Sequence, residues 1–343
     1  MVKLAQNKIN IMKLNLLSKY RTLLMGVAIL WVMFYHSHVY VGSSKFLEFF
    51  KRIGYGGVDI FILVSGFGVY FSISKDNCIR NFYKKRVLRI FPYYYPIVLI
   101  VTIIAIKLGI WNSDSLFYNL TTLGYWRNVG LGKIYDWYIP ALLFLYLLTP
   151  LYYKFFKINK TATTLCAIAA AYIFSYSTYG TYEYLYNLTF RIPHYVIGFW
   201  LADFLIKNKE YEFNKFTIIL FAISLIVGVS ILYYLYFYTP YFEIYGNYIS
   251  PFILITVPLC MFLCYFFSLF KSYKFPILTF LGIHSLTLFI FHEKILFLCH
   301  IILPSNIENV CAFILTFILA YVWQKLVDNI INKITITKKK TFQ

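Results

Sequence analysis

The feature that most constrains this chain is a succession of apolar runs, each about twenty residues long, separated by short clusters of Lys and Arg. A run of that length spans a hydrocarbon core of about 30 Å as a helix, and lipid tolerates no unpaired backbone. The runs fall near 22–41, 56–74, 90–109, 137–153, 161–177, 190–206, 216–237, 249–269, 276–296 and 309–330. The expectation is an all-α fold: a polytopic membrane bundle of about ten transmembrane helices. Composition agrees, since 61% of the 343 residues are hydrophobic, 13% are charged and mean hydropathy is +0.69. A soluble core of this size needs far less.

Charge then sets the expected sidedness. Lys3, Lys8, Lys13, Lys19 and Arg21 precede the first run. Every second loop repeats the pattern: Lys75 to Arg89, Lys154 to Lys160, Lys207 to Lys215, Lys271 with Lys274, and Lys325 to Lys340. These clusters hold most of the 32 basic residues, so they and both termini are expected on the cytoplasmic side of a cell membrane, with a bacterial plasma membrane the natural setting. In a soluble protein a net charge of +19 would point to nucleic acid; placed between spanning runs it reads as topology, and no nucleic-acid partner is expected. The chain reads as one domain, with a basic N-terminal segment at 1–21, the bundle at 22–330 and a basic tail at 331–343. The basic start resembles a signal peptide, but the run after it is long enough to span and lacks a small-residue cleavage site. Cys260 and Cys264 share a helix face with no His or further Cys nearby, which suits packing better than ligation, and no metal is expected.

Function must lie in the polar residues kept inside the bilayer, because burying them is costly. His36 lies about fourteen residues into the first run, roughly 20 Å along a helix. Its imidazole is either a general base or a packed, hydrogen-bonded group. Asp59 and Ser65 lie in Gly54-Tyr-Gly-Gly-Val-Asp-Ile-Phe-Ile-Leu-Val-Ser-Gly-Phe67. There the glycines permit close helix approach, and Asp59 either orients His36 or pairs with a structural cation. Arg86 and Arg89, three apart, share a helix face and suit bidentate phosphate binding, or are ordinary topology charge. The opposite loops carry Trp111, Tyr118, Tyr125, Trp126, Tyr135, Asp136, Tyr241, Glu243 and Tyr245, a mixture that suits carbohydrate as well as a membrane-interface belt.

Taken in order, these stretches resemble the acyltransferase 3 family of integral membrane acyltransferases. The resemblance rests on His36 within Met25 to His36, on Gly57 to Phe67, and on Arg86, Arg89 and Pro92. It continues through Trp137 to Pro150 and Gly282 to His292. In one respect the chain departs: many members carry an Arg where Met25 stands, and here Arg21 lies one turn earlier on nearly the same face. The resemblance implies transfer of an acyl group, usually acetyl, from cytoplasmic acyl-CoA (acetyl-CoA) to a hydroxyl of a cell-surface glycan or lipid-linked sugar. It implies His36 and Asp59 at the catalytic centre, and Arg21, Ser65, Arg86 and Arg89 at the donor. Trp137, Asp136 and His292 are then expected at the acceptor, while His194, His284 and His300 are expected to be structural. The rival is a transporter or flippase of a sugar or lipid-linked precursor, for which matching internal repeats would be the sign.

Overall fold

Each expected run becomes helix in the computed structural model, which describes residues 11–128, 136–182, 184–270 and 274–340. Lys3, Lys8, Lys271 and Tyr135 lie outside the described residues. Local chemistry sets several helix starts. Asn159 accepts the Ala162 N–H at 3.0 Å to open α9 (Lys160–Ser177), and Asn214 accepts that of Thr217 at 2.8 Å to open α12 (Lys215–Tyr238). Pro193 begins α11 (Ile192–Lys207), where a missing N–H costs nothing. The remaining long helices are α2 (Arg21–His36), α4 (Gly57–Lys75), α5 (Ile79–Lys107), α8 (Tyr138–Ile158), α13 (Phe252–Leu269), α15 (Ser285–Ile302) and α16 (Ser305–Lys340). Shorter pieces fill the connections: α1 (Asn15–Lys19), α3 (Lys45–Arg52), α6 (Ser115–Leu120), α7 (Leu123–Asn128), α10 (Tyr186–Thr189) and α14 (Pro276–Ile283). Among the described residues no strand forms, and seven helical stretches are long and apolar enough to cross a membrane.

Several helices depart from the expected bounds: α16 runs ten residues past 330 and α8 five past 153, and three others differ in ways that matter for the site. α2 stops at His36, five residues early, because Ser37 turns extended and its hydroxyl donates to the Phe34 carbonyl at 2.7 Å. α5 begins at Ile79, which places Arg86 and Arg89 inside a continuous 29-residue helix despite Pro92 and Pro96. The ninth run bends at His284, where the Thr287 hydroxyl takes the His284 carbonyl at 2.9 Å and divides α14 from α15.

The buried α4 is the centre of the bundle, with α2 on one side and α11 on another. Glycine brings the backbones together. A Cβ on Gly66 would stand 2.0 Å from the Tyr195 carbonyl oxygen of α11, and one on Gly198 would stand 2.1 Å from that of Leu63. Likewise Gly26 of α2 and Gly282 of α14 press on each other's helix, with 2.1 Å to the Leu278 oxygen and 1.8 Å to that of Thr22. In lipid, where apolar surface gives little driving force between helices, such close van der Waals contact holds a bundle together. These contacts fix α2, and with it both ends of the site.

Candidate active site

Because α2 ends at His36, the imidazole sits at a helix terminus beside a cavity and keeps about 31% of its side chain exposed. Its Nε2 lies 3.0 Å from Glu293 Oε1 on α15. A carboxylate can only accept, so in the neutral imidazole Nε2 carries the proton and Nδ1 keeps its lone pair. The preceding residue, His292, is buried with its ring centroid 5.2 Å from that of His36. Its Nδ1 faces the Phe289 carbonyl at 2.7 Å and must donate, which leaves Nε2 as a bare acceptor with no partner among the described residues. With Met33, Ser37, Leu296 and Thr316 the two histidines line a small cavity.

Asp59 does not reach this pair. Fully buried on α4, its Oδ1 lies 3.3 Å from His194 Nδ1 and 3.5 Å from Arg191 Nε, so the carboxylate that faces His36 is Glu293. The reason is packing: Asp59 is presented toward α11 on the helix pair closed by Gly66 and Gly198. Arg191 also donates to the Asn187 carbonyl at 2.8 Å, and its guanidinium lies 4.7 Å from the Trp137 ring centre. Trp137 therefore belongs to the Asp59–Arg191 cluster.

At the other end of α2 a larger cavity is lined by Arg21, Met25, Ser65, Arg89, Tyr138 and Phe289, among others. Three of the four residues expected at the donor thus share one space. Ser65 Oγ is 2.9 Å from the Tyr146 hydroxyl, which holds it against the wall. Arg86 is turned inward, its guanidinium 5.6 Å from the Phe82 ring centre and 5.5 Å from that of Tyr146, close enough to Arg21 for their charges to interact. Met25 lines the same cavity as Arg21, so these two positions, one helical turn apart, open onto the same space. Phe289 lines this cavity and packs 5.2 Å from the His292 ring; the pair stands between the basic cavity and His36.

A third cavity gathers Tyr94, Trp111, Asn119, Tyr125, Asp136 and Lys294. Burial raises the Asp136 carboxyl above the ordinary range, against the pull of Lys294 3.9 Å away. Asp136 and Lys294 thus join the loop aromatics, and Lys294 adjoins Glu293 on α15.

With this geometry in place the comparison with known proteins is informative: a family profile described as an acyltransferase domain matches residues 22–323. The chain belongs to the acyltransferase 3 family. Nothing among the curated proteins or the solved structures matches it. Membership decides between the two function classes, and this acyltransferase is a multi-pass membrane protein. The family match runs from the start of α2, through all three cavities, into α16. Sequence reasoning passed over Glu293, Arg191 and Lys294 as site residues. A charged residue inside an apolar run was the available signal for each, but their partners lie more than a hundred residues away in the chain.

Proposed function

We propose that this acyltransferase moves an acetyl or similar acyl group from acyl-CoA to a hydroxyl of a sugar, with His36 as general base. The observation that carries the reading is the His36–Glu293 pair at one end of α2, with the basic cavity of Arg21 and Arg89 at the other. Arg21 and Arg89 bind the phosphates of the coenzyme, a task for which guanidinium forks are suited, while Arg86 adds positive charge behind them. The basic end faces the cytoplasm, as the charge distribution requires, and the His36 end faces outward. Arg21 and His36 lie fifteen residues apart, about 22 Å along a helix, a span that an extended pantetheine arm covers once Phe289 gives way.

The chemistry balances with the groups present. His36 Nδ1 takes the acceptor's O–H proton as that oxygen attacks the thioester carbonyl; the C–S bond then breaks, and the imidazolium returns the proton to the departing thiolate. Glu293 holds the ring in the required tautomer and stabilises the imidazolium. The bare Nε2 of His292 can accept a hydrogen bond from a second hydroxyl of the acceptor, since the reacting O–H goes to His36. The cavity of Trp111, Tyr125, Asn119 and Asp136 suits a sugar, since aromatic faces stack on the ring while amide and carboxyl groups bind hydroxyls.

The test is thiol release from acetyl-CoA by the purified protein in lipid nanodiscs, with and without glycan acceptors. Acceptor-dependent release supports the reading, and Arg89→Ala raises KM for acetyl-CoA about tenfold or more while changing kcat little. Arg89→Ala with an unchanged KM removes the guanidiniums from donor binding.

A further inference from the structure

At the same end of α2 as His36, two residues on, lies a cluster with no part in the transfer chemistry. His38 Nδ1 is 2.8 Å from one oxygen of Glu308, and His300 Nδ1 is 2.8 Å from the other. The two rings stand edge to face, 75° apart with centroids 4.9 Å from each other. The three residues come from separate segments: the stretch after α2, the end of α15 and the start of α16. One donor atom from each falls within 4.8 Å of the others. Glu308 is 4% exposed, while the imidazoles are 46% and 60% exposed, so a buried anion lies behind two reachable nitrogens.

We propose that His38, His300 and Glu308 form a binding site for a divalent transition metal of the zinc type. Zinc bonds to imidazole nitrogen and carboxylate oxygen at about 2.0–2.2 Å, which sets tetrahedral ligands about 3.4 Å apart. The present separations, 2.8 Å for each Nδ1–carboxylate contact and none beyond 4.8 Å, bracket that spacing. Each histidine gives up the Nδ1 proton now shared with Glu308 and carries it on Nε2, so both ligands bind neutral, and water takes the fourth position. Two nitrogens and one oxygen favour zinc, copper or nickel over magnesium or calcium. The loop is already held for this purpose: Asn309 Oδ1 accepts the His38 backbone N–H at 2.7 Å and orients the ligand from behind. A bound ion ties the end of α2, and so His36, to the turn between α15 and α16.

His36, His292 and Glu293 have the same composition, so the experiment must separate the two clusters. Metal-stripped full-length protein in detergent is titrated with zinc chloride against a chromophoric chelator, and its thermal midpoint is followed with added zinc, magnesium or calcium. One equivalent of zinc taken from the chelator, with a rise in midpoint for zinc alone, supports the site. So does at least tenfold weaker uptake by His300→Ala and by Glu308→Gln, with His292→Ala unaffected. The conservative His38→Gln and the exposed position of His300 guard against misfolding as the cause of a loss. No zinc uptake by the wild-type protein overturns the proposal. Equal uptake by His300→Ala and Glu308→Gln, or loss on His292→Ala alone, also overturns it.

Discussion

His36 and Glu293 meet at 3.0 Å across two helices, and the chemistry assigned to them predicts a graded response. Removing a general base costs about 10²–10⁴-fold in rate, whereas Glu293→Gln keeps the ring in place and weakens only the imidazolium, so its loss is smaller. Asp136 gives a second prediction at this scale. Its folded-state pKa is raised by burial, so the fold prefers the neutral acid. That contribution is full below the unfolded value of 3.8 and is lost as pH rises through the folded value. Asp136→Asn, neutral at every pH, therefore gains thermal midpoint over wild type at about pH 7.5 relative to about pH 4.5. A pH-independent difference would contradict the burial argument. His36, Asp59 and the paired arginines stood out in the sequence because polar groups in apolar runs are conspicuous. Which of them touch was not legible: Asp59 faces His194 and Arg191 while Glu293 takes the place beside His36, an outcome of tertiary packing that spacing along one helix does not encode.

At the scale of helices, the close approach of α4 and α11 depends on Gly66 and Gly198, each about 2 Å from the opposing carbonyl if given a Cβ. Gly198→Leu is expected to destabilise the bundle by about 3 kcal/mol or more, read as a lowered thermal midpoint or denaturant resistance in detergent. An unchanged midpoint would mean that the two helices are less tightly joined than described. The position of every long helix was legible, because a spanning apolar run has few alternatives. Ends and bends were less so. Ser37, extended with its hydroxyl on the Phe34 carbonyl, stops α2 inside an apolar stretch, and Thr287 bends the ninth run in the same hydroxyl-to-carbonyl manner. Hydropathy carries neither signal.

Across the whole molecule, α2 links two chemically different ends: the basic cavity of Arg21 and Arg89, and the imidazole and carboxylate groups around His36 and His38. Charge clusters in alternate loops suggested this polarity before any contact was known, and family membership gives it the character of a membrane acyltransferase. What the sequence withheld was the partition of Phe289 and His292 between the two ends, since a wall between cavities exists only once α15 packs against α2. The central claim is that His36 activates the acceptor, and the most direct measurement is acceptor-dependent thiol release by His36→Ala in nanodiscs, at a protein level and thermal midpoint matching wild type. A fall of about 10²-fold or more, with acetyl-CoA binding retained, is the predicted result; transfer at the wild-type rate would contradict it.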